Sequence, residues 1–212
     1  MLSPDKSPFE SHRHHSHCMS KYPLKMLEYN NDKNKLIIDS TINKLEHFGI
    51  KHWVGYSVGW MAELYIAQGN GDKTSEQLHN FFDYNCTKNG FHINGDYLKK
   101  TDFNLKYRLF TLEGNFIATD AIQDMLMYSE NGKLKLFPAI PKSWNDVEFN
   151  NFRGYDGILV SAKLENGTIS YLEITATSDC KIEIENNLSH INTLGIDLSS
   201  LSLKANQKII LQ

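Results

Sequence analysis

Residues 11–18 read Ser-His-Arg-His-His-Ser-His-Cys, placing four histidines, an arginine and a thiol within seven consecutive positions. Imidazole and guanidinium groups are directed hydrogen-bond donors that suit sugar hydroxyls or an anionic group. The same residue types are also zinc ligands, although the fixed spacings of structural zinc sites are absent. A polar surface loop is the plain alternative. These three readings stay open on the residues alone. A second candidate is Thr111-Leu112-Glu113-Gly114-Asn115-Phe116, where an irregular stretch gives way to a helical pattern. A carboxylate at or before that helix start is favoured by the helix dipole and free backbone N–H groups. Glu113 or Asn115 acting simply as a cap competes with a functional carboxylate here. In a sugar pocket such a group can take a proton from water as general base. Trp53, Tyr56 and Trp60 flank a glycine-bearing turn and offer flat faces for sugar stacking, with a core position the competing expectation for Trp60. Phe91, His92 and Asn94 are candidates to line the same pocket, or else loop filler. Lys99, Lys100 and Lys106 read as solvated surface.

Four helices are expected to position these groups. Leu36, Ile38, Ile42, Leu45 and Phe48 recur at helical spacing over 33–48, stopped by Gly49. A second helix, 57–68, takes Ser57 as its cap and is apolar nearly all round, as a buried helix would be. Asp72 is expected to cap a third helix carrying Leu78, Phe81 and Phe82. The fourth runs from about Phe116 to Ser129, with Ile117, Ala121, Ile122, Met125 and Leu126 on its apolar side, ended by Glu130-Asn131-Gly132. Between the third and fourth lies a long irregular stretch, 88–112, of the kind that is usually functional or disordered. After Gly132 the apolar period drops to two. Leu134 and Leu136, then Ile158 to Leu164, lead to a hairpin at Glu165-Asn166-Gly167. The returning strand is expected to point Ile169, Tyr171, Glu173 and Thr175 one way and Ser170, Leu172, Ile174 and Ala176 the other. Ile182, Ile184 and Lys208 to Leu211 continue the β pattern. Four helices, two of them apolar on most sides, are too few to bury one another. The chain is therefore expected to be the C-terminal piece of a larger helical assembly.

The 212 residues carry 22 Lys and Arg against 25 Asp and Glu, a net charge of −3, and 41% are apolar. That composition is ordinary for a globular protein and excludes wholesale disorder. A pI near 6.3 without a basic stripe gives no footprint for nucleic acid. No apolar run approaches the 18 or so residues of a membrane span, so the chain reads as soluble with no membrane partner. Cys18, Cys86 and Cys180 are odd in number and far apart, which is no disulfide framework. Asn85-Cys86-Thr87, Asn166-Gly167-Thr168 and Asn187-Leu188-Ser189 match the glycosylation pattern by chance in an Asn-rich chain. No signal peptide is visible, and location is left open.

The ordered set of motifs is similar to glycoside hydrolase family 95, the α-L-fucosidase family. His12 to His17 resembles its HRHHSH motif. Gly55-Tyr56-Ser57-Val58-Gly59-Trp60 resembles its GWS-x-x-W stretch, and Ala67 to Asp72 the turn that follows. Glu113-Gly114-Asn115-Phe116 resembles its DGNFG segment. Leu136 to Trp144 resembles its LLPALPxAW signature, with Arg153 to Val160 similar to the strand behind it. The resemblance implies an α+β chain in two parts: over 1–140 the last helices of a partial (α/α)6 barrel, and over 141–212 a small antiparallel β-sandwich module. It implies an inverting hydrolase with no cofactor and no metal, acting on a glycan with terminal α-L-fucose. Glu113 would be the catalytic base. Arg13, His12, His14 and His15, His14 foremost, with Asn115 and Trp60, would bind the sugar. The general acid would lie upstream with the missing half of the barrel, leaving the isolated chain inactive. Glu in place of Asp at 113, Ile117 in place of Gly, Met61 after Trp60 and the long 88–112 stretch extend the implied substrate to a related α-L-sugar. A non-catalytic carbohydrate-binding module is the alternative.

Overall fold

The computed structural model describes residues 10–106, 110–130, 132–186, 188 and 195–212. The chain is an α+β protein whose two compact units divide after Ile122. The first holds α1 (Asp32–Phe48), α2 (Gly55–Ala67), α3 (Gly71–Asn85) and the start of α4 (Glu113–Leu126). Helix α1 begins where Asn31 accepts the Asn34 N–H at 3.0 Å, and it stops at Gly49, whose φ of 68° no β-carbon would tolerate easily. Ile38, Ile42 and Leu45 are buried as the spacing predicts, whereas Leu36 and half of Phe82 on α3 face outward. Helix α2 is buried along its whole length except at Tyr56 and its last residue, Ala67.

Two helix starts differ from the sequence expectation. Helix α2 begins at Gly55, so Ser57 is its third residue; its hydroxyl accepts the Val54 N–H at 3.2 Å from inside the first turn. Helix α3 is capped by Asn70, whose side chain accepts the Lys73 N–H at 3.1 Å, and Asp72 sits in the first turn, where its charge suits the dipole. Helix α4 starts three residues earlier than expected and ends at Leu126, because Met127 to Ser129 are drawn into a strand. Gly59 lets α4 approach α2: a β-carbon there would stand 2.5 Å from Ile117. The isoleucine that departs from the family motif thus fits a glycine on the facing helix.

The second unit carries two four-stranded sheets. One orders β1 (Met127–Glu130), β2 (Lys133–Leu136), β6 (Cys180–Ile184) and β7 (Leu201–Leu203). The other orders β3 (Val147–Gly154), β4 (Ile158–Glu165), β5 (Thr168–Ala176) and β8 (Lys208–Leu211). Pairing is antiparallel except between β2 and β6, a departure from the fully antiparallel module expected. Inward residues of both sheets, among them Met127, Leu136, Phe149, Val160, Ile174 and Leu203, form one apolar cluster. In β5 the expected alternation holds for Leu172, Ile174 and Ala176 but fails at Ile169. Leu164 pairs with Ile169 and Lys163 with Tyr171, so Ser170 is an extra residue that turns Ile169 onto the core. Asn131, Asn187 and Ser189, named in the turn and glycosylation patterns, lie outside the described residues. Among those described, no helix is long and apolar enough to cross a membrane.

Candidate functional site

The His/Arg strip is held by its backbone. The Ser11 hydroxyl donates to the Gly49 carbonyl at 2.7 Å and accepts the His52 N–H at 3.0 Å. Ser57, while accepting from Val54, donates its own hydroxyl to the Arg13 carbonyl at 2.7 Å. The strip is thereby fixed across the start of α2. His12, Arg13 and His14 then stand exposed, with the His12 and His14 rings edge to face at 5.4 Å. His15 turns the other way. It is 1% exposed, its ring 5.0 Å from Trp53 and 5.9 Å from Trp60, and neither ring nitrogen has a partner among the described residues. Burial, reinforced by His17, His12 and His14, pushes this imidazole down to about 3, so at neutral pH it is uncharged. Cys18, which ends the strip, is buried and its thiol is pushed up to about 12.

Trp60 connects the strip to α4. It is 7% exposed, its indole N–H has no partner among the described residues, and it meets Tyr56 at 5.7 Å and Tyr22 at 6.3 Å. Tyr22 donates its hydroxyl to Asp120 at 2.7 Å. Burial raises the Tyr56 phenol above its ordinary value, and the charges of Glu113, Asp120 and Glu63, in that order, raise it further. Burial, the charge of Glu63 and the hydrogen bond to Asp120 raise the Tyr22 phenol as well. Glu113 is the first residue of α4 and is exposed. His15 of the strip thus packs on Trp60 and Trp60 on Tyr56, and Glu113 stands near enough for its charge to act on the Tyr56 phenol.

Three members of this arrangement, Tyr22, Glu63 and Asp120, were not legible as site residues in the sequence. Glu63 had a signal: it is the lone charge in the apolar run Val58 to Ile66, and it is 3% exposed. Oxygens of Glu63 and Asp120 lie within 4.8 Å of one another. Asn115 is engaged with the loop before α4: its side chain accepts the His92 N–H at 2.9 Å and donates to the Gly90 carbonyl at 2.7 Å. Phe91 and Phe110 stand exposed edge to face at 5.3 Å, while His92 is fully buried. Lys106 is not simply solvated, since it pairs with buried Asp96 at 3.2 Å. Asn85, in the first glycosylation pattern, is buried and closed to modification.

The sequence model of the glycosyl hydrolase family 95 catalytic domain matches residues 2–126. The chain belongs to glycoside hydrolase family 95. The match takes in the His/Arg strip, all of α2 and the start of α4, so the whole aromatic–carboxylate arrangement lies in the catalytic-domain part of the family 95 chain. A relative, Alpha-L-fucosidase 2 of Arabidopsis thaliana, is 24% identical over 166 residues, which cover 77% of this chain and 19% of that protein. The family 95 chain thus spans about a fifth of the length of the relative it matches.

Proposed function

We propose that this chain forms one wall of the active site of an inverting glycoside hydrolase that releases a terminal α-L-fucose or a related α-L-sugar. The reading is carried by the packing of His15 on Trp60 and of Trp60 on Tyr56, with Glu113 near enough for its charge to raise the Tyr56 phenol. In an inverting reaction a base takes a proton from water as that water attacks the anomeric carbon. An acid about 6.5–9.5 Å away protonates the leaving oxygen on the other face. Glu113 has the chemistry of the base: it is exposed at a helix start, and its charge helps to keep the Tyr56 phenol protonated. His12, Arg13 and His14 offer donors to sugar hydroxyls, His15 adds unpartnered ring nitrogens, and Trp60 an apolar face. Asn115 acts here by ordering the loop beside Glu113. The acid is supplied by a segment outside residues 1–212, so these residues alone do not turn over.

By the same reading, the helices within residues 1–140 belong to an (α/α)6 barrel, and 141–212 to a β-sandwich accessory module that also takes in β1 and β2. Exposed Leu36, Phe82 and Phe116 support it, since the remaining helices would cover them. The test is an aryl α-L-fucoside assay of the full-length protein and its Glu113→Gln variant. Loss of the base is expected to cost about 10²- to 10⁴-fold in kcat. Full activity in the variant removes Glu113 from the role, and saturable fucose binding without turnover in the wild type favours a binding module instead.

A further inference from the structure

The stretch between α3 and α4 takes no part in the chemistry above, yet residues 92–94 within it touch three helix ends. The Ile93 N–H donates to the Asn85 carbonyl at the end of α3 at 2.8 Å. The Asn94 carbonyl accepts the Gly55 N–H at the start of α2 at 3.0 Å. His92 itself donates its N–H to Asn115 in the first turn of α4 at 2.9 Å and accepts the Thr111 N–H at 3.4 Å.

The His92 ring occupies the space between those ends. It is fully buried and stacked on Phe81 at 5.3 Å and 21°. Its Nδ1 lies 2.7 Å from the Thr111 carbonyl, so Nδ1 carries the proton and donates it. Nε2 is then a bare lone pair, and it has no partner among the described residues. A β-carbon on Gly55 would stand 2.2 Å from Nε2, and one on Gly114 2.3 Å from Nδ1. Both glycines are required by this ring. Burial depresses the His92 imidazole below its ordinary range despite the Thr111 carbonyl and Glu113 pulling the other way, which keeps it neutral.

We propose that His92 is a positioning residue for Glu113: its ring spaces the start of α4 from the start of α2, and its Nδ1–H fixes Thr111, two residues before the carboxylate. The inference rests on the reading of Glu113 as base and adds what aims it. A glutamate has three rotatable side-chain bonds, so its reach is useful only if the backbone beneath it is fixed. A displacement of about 1 Å at a reacting group can cost about 10²-fold in rate.

The experiment uses the full-length protein on p-nitrophenyl α-L-fucoside, with kcat, KM and thermal melting measured for each variant. His92→Phe keeps a stacked ring and removes the donor; kcat is expected to fall about 10- to 100-fold with KM within about twofold. His92→Asn keeps a donor near the Nδ1 position but gives up the ring, and is expected to retain more kcat than the Phe variant while remaining below wild type. It carries the test alone if the Phe variant does not fold. In a Glu113→Gln background, adding His92→Phe is expected to lower kcat no further, because the two residues act through one group. Wild-type kcat in the His92 variants, with Glu113→Gln impaired, overturns the positioning role and leaves the base. Multiplying losses in the double variant overturn it too. Full activity in Glu113→Gln, or a full-length protein that turns over no aryl glycoside, overturns both readings.

Discussion

The two units bury very different material. The β unit encloses an apolar cluster, from Met127 and Leu136 through Ile158, Val160 and Ile174 to Leu211, with polar side chains alternating outward. The helical unit buries His15, Trp60, Asn85 and His92 with ring or amide atoms that no described residue satisfies. Each such atom costs about 1–3 kcal/mol. Asp96 is fully buried there too: its Oδ1 has no partner among the described residues, while hydrogen bonds to Oδ2 from Thr101 at 2.7 and 2.8 Å and from Lys106 hold the carboxyl below its ordinary range against the effect of burial. Of these unsatisfied groups, His15, Trp60 and His92 lie around the starts of α2 and α4, beside the strip and Glu113, whereas Ser170 Oγ is such an atom in the β unit. Local inconsistency of this kind collects at functional sites, and the rest of the fold must offset it.

The comparison breaks most visibly in the β core. Ile174 is 1% exposed and pairs with Val160 and Ile209. Ile174→Ala is expected to cost about 2–5 kcal/mol in urea unfolding while leaving the activity per folded molecule unchanged. A fall in kcat at full occupancy of the native state would mean that the β unit shapes the site directly.

Acid should act on the helical unit. His15 has its imidazole pushed down to about 3, against an ordinary value near 6.5. Between those values the unfolded chain binds a proton that the folded chain excludes. The stability is therefore complete above about pH 6.5 and is lost as pH falls, by up to about 1.4 kcal/mol per pH unit. His92 is shifted the same way by burial and adds to the slope. His15→Phe, which leaves the Trp53–Trp60 niche filled without a titrating nitrogen, is expected to flatten the stability–pH curve between pH 6 and 4. It should also weaken sugar binding at neutral pH. An unchanged acid slope in the variant would exclude His15 as the titrating group.

Much of this was legible before any coordinates. Helix existence followed from three- and four-residue spacing, and the site from the residue types at 12–17, 56–60 and 113–115. What was misread was finer. Ser57 and Asp72 were taken as caps because an oxygen-bearing side chain within two residues of a helix start looks the same in sequence whether it is the cap or one turn in. Strand β3 escapes the sequence pattern because half of Val147 to Gly154 is exposed and the strand is bulged between Phe149 and Phe152, which erases the period of two. Tyr22 and Asp120 lie 98 residues apart, and no local pattern announces their bond. His92 stood among loop asparagines and glycines, where nothing but the fold could bury it.

The smallest effects separate a cap from a bridge. Asn70 is an exposed cap at the start of α3, and Asn70→Ala is expected to cost about 1 kcal/mol with no change in kcat or KM. Ser57 also serves a helix start, but its hydroxyl passes the bond on to the Arg13 carbonyl, 44 residues earlier. Ser57→Ala strands a buried N–H and loosens the strip, so a stability cost of similar size, about 1–2 kcal/mol, should come with a raised KM. The pair isolates what the sequence could not: two small polar residues with the same local duty, of which one also holds the His/Arg strip in place. If both variants lower stability and neither moves KM, the strip is held by Ser11 and its own packing rather than through Ser57.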